Sequence, residues 1–291
     1  MKSSELKQEA KELLIDFLEK KKVSKVKLAR KIGVSNSVLT YVTQEQWENV
    51  SEEMMMKIVN ALKMPGENYK LVETGNFNTI QTMCRCVARW HQMCGLIGFT
   101  GAGKTTALKS YYRSNPNVYY VECKSYMNNR QFFRSVSNEL GVNCEGSLCD
   151  ILESIAAAFK TKESPLLIID EVGKLSHRQI LVLHDLRNAT DNNLGIILSG
   201  CDYFRENLEK GVKRDKTGIP EFYGRISSWQ ALSSPSKAEA MAIFESNGIC
   251  DEGLKQRKYE NFREIYGVIV SAQIARQIQL ESLTGETCSQ E

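Results

Sequence analysis

The stretch "GFTGAGKTT" at residues 98–106 fits the pattern G-x-x-x-x-G-K-[ST], with Gly98, Gly103, Lys104 and Thr105 in the fixed places. A loop of this kind wraps phosphates. Its glycines let backbone N–H groups converge on an anion, which assigns Thr100, Gly101, Ala102 and Thr106 to the binding surface as well. Lys104 then reaches the outer phosphates, and the Thr105 hydroxyl ligates magnesium. A second group lies downstream in "PLLIIDEVGKL", where four apolar residues run into Asp170 and Glu171. A buried strand ending in two acids delivers them beside the phosphate loop. Asp170 would hold magnesium, largely through water, and Glu171 would polarise an attacking water. Such a pair is weak evidence alone, because strand-end acids can simply face solvent. Its place 66 residues after Lys104, in a chain that alternates strands with helices, favours a site for ATP and Mg2+.

These residues need a scaffold, and the apolar periodicity supplies one. "CGLIGF", a helix from Lys104, "VYYVEC", helices near 129–140 and 148–160, "PLLIID", a helix near 176–189 and "LGIILSG" follow one another. That alternation predicts an α/β fold with a parallel sheet flanked by helices. Beyond residue 232 only helical patterns remain, opening at "SSPSKAEAMAIFESNG" with Ser234 or Ser236 as cap and Gly248 as stop.

Residues 5–64 carry helical patterns without strand-like alternation. "ELKQEAKELLIDFLEKK" reads as one amphipathic helix. "VSKVKLARKIGVSNSVLTYVTQ" reads as a helix over about 24–32, a turn at Gly33 and a second helix capped by Ser35, with Val38, Leu39 and Val42 facing inward. Two short helices joined in this way form the helix-turn-helix signature. "SEEMMMKIVNALKM" adds a packing helix, and "PGENYKLVETGNFNT" interrupts the pattern at Pro65, Gly66 and Gly75. The expected organisation is a helix-turn-helix module over 1–66, an α/β core over 67–232 and a helical segment over 233–291.

The net charge of +3 is mild, so its distribution carries more information than its total. From Lys20 to Gln44 there are seven basic residues and no acidic one. A charge run is ordinarily a solvated helix face. Beside a helix-turn-helix it points to double-stranded DNA, with Lys27, Arg30, Asn36, Ser37 and Thr40 as contacts and protein docking as the competing use. Small polar residues at the start of the second helix favour phosphate contacts over base reading.

Nine cysteines are scattered through the chain, and the first residues lack the apolar centre of a signal peptide. Reduced thiols in the cytoplasm are expected. Cys84, Cys86, His91 and Cys94 are four potential zinc ligands within eleven residues, but a helix spreads Cys84 and Cys86 over different faces, so no metal is assigned there. No apolar run is long enough to span a bilayer.

The Asp170–Glu171 pair after a phosphate loop resembles the AAA+ ATPases. The resemblance implies that Ser199, ending "LGIILSG", is the polar sensor near the terminal phosphate. It also implies that Arg225 in "GIPEFYGRISSW" is presented to a neighbouring subunit's nucleotide, with Arg205 and Arg214 as competitors. The chain departs from that pattern where a lid helix usually carries a sensor arginine: Val270 stands near the place, and Arg276 follows two turns later.

A front helix-turn-helix, the stretch "LLIIDEVGKLSHRQILVLHDLRNATDNNLGIILSG" and a short helical lid together are similar to the phage Mu transposition protein B family. That resemblance implies an ATP-dependent, largely sequence-non-specific DNA-binding protein. It would form helical filaments on target DNA, deliver that DNA to a DDE-type transposase and stimulate transposition. Related proteins line their DNA channel just after the second strand, which points to Lys124, Asn128 and Arg130 in "VECKSYMNNRQFF"; a plain polar helix start is the alternative. The stretch "EKGVKRDKTG" reads as a second basic loop. A loader resembling IstB or a helicase loader, and a nucleotide-gated transcriptional regulator, are the competing classes.

Overall fold

A computed structural model describes residues 3–21, 25–62, 69–142, 145–190, 193–249 and 251–285 of the chain. They form two compact units, one from 1–72, 240–257 and 264–291, the other from 73–239 and 258–263.

The first unit opens with four helices: α1 (Ser3–Lys21), α2 (Lys25–Ile32), α3 (Asn36–Thr43) and α4 (Glu52–Leu62). Leu6, Ala10 and Leu14 recur every four residues on α1, so one face carries them into a core with Leu28, Leu39, Val42 and Ile58. Gly33, at φ +75°, turns the chain between α2 and α3 in a conformation that costs other residues strain. The Ser35 hydroxyl accepts from the Val38 amide at 3.3 Å and starts α3.

In the second unit the chain runs α5 (Gly75–Trp90), β1 (Met93–Ile97), α6 (Lys104–Ser114), β2 (Val118–Glu122), α7 (Asn129–Glu139), α8 (Leu148–Lys160) and β3 (Leu166–Asp170). It continues through α9 (His177–Ala189), β4 (Gly195–Gly200), α10 (Asp202–Lys213), α11 (Ile219–Gly224) and β5 (Ile226–Ala231). The strands form a five-stranded sheet in the order β2-β3-β4-β1-β5, and every pairing is parallel. The three central strands read as unbroken apolar runs because helices cover both faces. The Ser236 hydroxyl, one of the two expected caps, accepts from the Glu239 amide at 3.2 Å and opens α12 (Lys237–Ser246), which α13 (Glu252–Gln256) and α14 (Phe262–Gly285) follow.

Two local expectations are corrected. Gly75 does not break the chain: Thr74 caps α5 through the Phe77 amide, and Gly75 is the first helical residue. The basic stretch at 209–218 is not a loop in its first half, because α10 continues through Lys213. Gly211 makes this possible; a Cβ there would lie 2.9 Å from Ile219 Cγ2, so its bare backbone lets α10 pack closely. No helix among the described residues is long and apolar enough to cross a membrane.

Candidate nucleotide site

The parallel register brings three strand ends to one edge of the sheet. Ile97 lies beside Gly200, Leu96 beside Ser199, and Ile169 beside Leu198, so Gly98, Asp170 and Ser199 gather there. Ligands of open parallel sheets bind at this carboxyl edge, where a reversal in strand order opens a crevice. The loop after β1 then turns directly into α6. Gly101 and Gly103 both sit at φ +86°, and Gly103 precedes α6 without a side-chain cap. The first amides of α6 are left for an anion, reinforced by the helix dipole.

The loop is braced from behind. The buried Asn76 amide donates to the Ala102 carbonyl at 3.2 Å and to the Ser233 carbonyl at 2.8 Å. On the other side the Phe262 amide donates to the Gly101 carbonyl at 3.0 Å. A Cβ on Gly101 would lie 2.9 Å from Asn261 Oδ1 and 3.1 Å from Arg263 Cβ, so only glycine fits both the angle and the space. Sequence patterns missed Asn76 and Arg263. Asn76 fell inside a stretch read as a boundary, and Arg263 is distant in sequence from every motif. Val270 lies in α14; the Arg276 side chain lies outside the described residues.

Lys104 is buried and its Nζ donates to the carbonyls of Gly98, at 2.6 Å, and Phe99, at 3.0 Å. An ammonium has three donors, so one remains for a phosphate oxygen. Thr100 and Thr106 are exposed, with Thr100 Oγ1 3.9 Å from Cys201 Sγ, while Ala102 is buried beneath the loop.

Asp170 is 1% exposed and accepts four hydrogen bonds. Thr105 Oγ1 and Tyr120 OH donate to Oδ2 at 2.7 and 2.8 Å. Ser199 Oγ and the Glu171 amide donate to Oδ1 at 2.7 and 3.0 Å. The carboxylate has no cationic partner among the described residues. A buried carboxylate without a countercharge, ringed by hydroxyl oxygens at a phosphate loop, suits a hard divalent cation such as magnesium. Burial, and then the Asp170 charge, raise the Tyr120 phenol above its ordinary value, so it stays protonated and donates. Burial likewise pushes the neighbouring Cys123 thiol up to about 12, with Asp170 adding to the effect. Glu171 stands in the left-handed region at φ +59°, with its carboxylate 3.4 Å from Lys174.

Arg225 is not part of this cluster. It caps the end of α11 just before β5, and Ile226 pairs with Met93, the first residue of β1. It therefore lies at the amino edge, one strand of five residues away, roughly 16 Å at 3.3 Å per residue. It is exposed and has no carboxylate partner among the described residues. Its charge, after burial, lowers the pKa of Arg187, whose guanidinium donates to the His91 carbonyl. The competitor Arg205 is held by Glu209 at 2.8 Å and lies over the Trp229 ring, and Arg214 ends α10.

The residues singled out for DNA divide sharply. Asn128 caps α7 by accepting from the Gln131 amide at 2.9 Å, and Arg130 donates to the Gly146 carbonyl. Lys124 is exposed and lies 5.9 Å from the centre of the Tyr126 ring. On α3, Asn36 and Ser37 are exposed and Thr40 is half-buried, its hydroxyl bonded to the Asn36 carbonyl at 3.1 Å. The side chains of Lys27 and Arg30 lie outside the described residues.

A family profile described as an AAA domain matches residues 89–208. The Mu-like prophage FluMu DNA transposition protein B of Haemophilus influenzae is 19% identical over 244 residues, covering 81% of this chain and 84% of that protein. The ATP-dependent target DNA activator B of Escherichia phage Mu is 22% identical over 229 residues, covering 75% of this chain and 71% of its own. Among solved structures, the ORC2 protein of Aeropyrum pernix, in ADPNP and ADP complexes, superimposes with a TM-score of 0.46 at 18% identity. That match takes in 63% of this chain and 53% of ORC2. The protein is an ATPase with an AAA domain over residues 89–208, and it is similar to Mu transposition protein B across three quarters or more of its length.

Proposed function

We propose that this ATPase binds duplex DNA in an ATP-dependent, largely sequence-blind manner, assembles on it as a helical filament, and presents it to a DDE-type transposase. The observation that carries the reading is the pairing of a phosphate-and-carboxylate edge with similarity, over most of the chain, to one protein named for DNA transposition and another named as an ATP-dependent target DNA activator. Lys104 and the amides of Gly101–Thr106 hold the phosphates. Thr105 and Asp170 hold magnesium, which when bound neutralises charge on the phosphate oxygens. Glu171 orients the attacking water once Lys174 yields its carboxylate, and Ser199 keeps Asp170 aimed.

Arg225, at the far edge of the sheet, serves the next protomer. A contact from one edge of a subunit to the opposite edge of another is heterologous, and where its rotation does not close into a ring it repeats as a filament. ATP then joins neighbours and its hydrolysis separates them. Many weak phosphate contacts add up along the assembly, so each can ignore sequence. Residues 1–66 supply the helix-turn-helix DNA module, 67–232 the ATPase core and 233–291 the helical lid. Lys124 is the core's foremost DNA contact, because Asn128 caps α7 and Arg130 is bonded to the Gly146 carbonyl.

The test is fluorescence anisotropy on several unrelated duplexes, with ATP, with ADP and without nucleotide, over a range of salt. Similar affinities for all duplexes, present only with ATP and falling steeply with salt, are expected. Tight, nucleotide-independent binding to one palindrome would replace this reading with the regulator.

A further inference from the structure

Tyr120 belongs to none of the motifs that mark the site, yet it touches its central carboxylate. It stands on β2, the outer strand, and its hydroxyl lies 2.8 Å from Asp170 Oδ2, the oxygen that Thr105 also uses. Its ring is held by α6. Lys109 Nζ lies 5.3 Å from the ring centre and the Tyr112 ring 6.0 Å away. Thr105, Lys109 and Tyr112 follow at helical spacing, so one face of α6 addresses both Asp170 and Tyr120.

A carboxylate offers about four lone-pair positions. Here two donors fill Oδ2 and two fill Oδ1. A cation taken up by Asp170, directly or through water, needs acceptor capacity that these donors already use. Three of the four have little freedom to withdraw. The Glu171 amide is fixed by the adjacent peptide, Ser199 is fully buried in β4, and Thr105 is tied to the phosphate loop. Tyr120 is half-buried and anchored through its ring, so its hydroxyl bond is the one that can open without moving the backbone.

We propose that Tyr120 is a positioning residue that competes with magnesium for Asp170, setting the cation concentration at which nucleotide is clamped. This rests on the assignment of magnesium to Asp170. Tyr120→Phe keeps the ring, its cation contact and its packing while removing the hydroxyl. In the full-length protein, binding of a fluorescent ATP analogue is titrated with magnesium. The half-saturating magnesium concentration should fall about tenfold in Tyr120→Phe, as expected for loss of one charge-assisted hydrogen bond. Affinity for the analogue in excess chelator should stay at the wild-type value, and Tyr112→Phe should leave the magnesium dependence unchanged. In 19F spectra of fluorotyrosine-labelled protein, the resonance missing from Tyr120→Phe should move on adding magnesium with nucleotide, and not with nucleotide alone. An unchanged or higher half-saturation, or a static resonance, overturns the proposal. Asp170→Asn separates the two levels. If it abolishes magnesium dependence while Tyr120→Phe has no effect, the role of Tyr120 alone fails; if it too changes nothing, the magnesium assignment fails.

Discussion

At Asp170 four donors converge on a carboxylate that is 1% exposed, whereas on α3 the side chains of Asn36 and Ser37 stand in solvent. The first arrangement draws on residues from β2, β3, β4 and α6, and every polar group in it answers another. The second draws on one short helix, where the Ser37 and Thr40 hydroxyls bond within their own segment. Buried polar groups must be satisfied, so a site of the first kind is fixed in geometry and specific in chemistry. Exposed polar groups on a helix are fixed in place but not in partner. The contrast fits a protein in which nucleotide chemistry is exacting and DNA contact is distributed and tolerant.

The comparison can be broken most violently at the phosphate loop. Lys104→Ala should abolish nucleotide binding, and with it DNA binding, while circular dichroism and thermal unfolding stay near wild type. The side chain's two bonds are to loop carbonyls that water can satisfy. Retained ATP affinity in an equilibrium assay would remove Lys104 from the site.

Arg225→Ala tests whether the two edges of the sheet meet in trans. Nucleotide binding should remain near normal, while DNA-stimulated hydrolysis falls about 10³–10⁵-fold, the range for a missing arginine finger. Mixing this variant with Lys104→Ala should restore part of the rate, since one supplies an intact loop and the other an intact arginine. A mixture no faster than the sum of its parts would place Arg225 in a structural role beside Arg187.

Glu171→Gln separates binding from turnover. Hydrolysis should drop by at least about 10²-fold, as for loss of a general base, and complexes on DNA should outlast those of wild type in a competitor chase. Equal lifetimes would mean that hydrolysis does not drive release.

The smallest expected effects lie on the tolerant side. Lys124→Ala should weaken binding to all duplexes alike and reduce the salt slope by about one unit. A loss confined to one duplex would instead mark Lys124 as a reader of bases.

How much of this was legible beforehand follows the same divide. The phosphate loop and the Asp170–Glu171 pair could be picked out because each motif is contiguous in sequence, and the apolar strands because burial on both faces leaves an unbroken run. Ser35 as a cap was readable because it acts three residues away. Asn76 and Tyr120 were not, because each acts across the fold. The span from Asn76 to Ser233 is 157 residues, and that from Tyr120 to Asp170 is 50. No periodicity encodes such pairings. The continuation of α10 through Gly211 was hidden for a related reason: a glycine reads locally as a breaker, but here it serves close packing on Ile219.

Electron microscopy of the purified protein with duplex DNA of arbitrary sequence, with ATP and without, tests the central claim most directly. The account predicts DNA coated by continuous helical filaments with ATP, bare DNA without nucleotide, and no filaments from Arg225→Ala. Closed rings of fixed size, or isolated particles at one DNA sequence whether or not ATP is present, would contradict it.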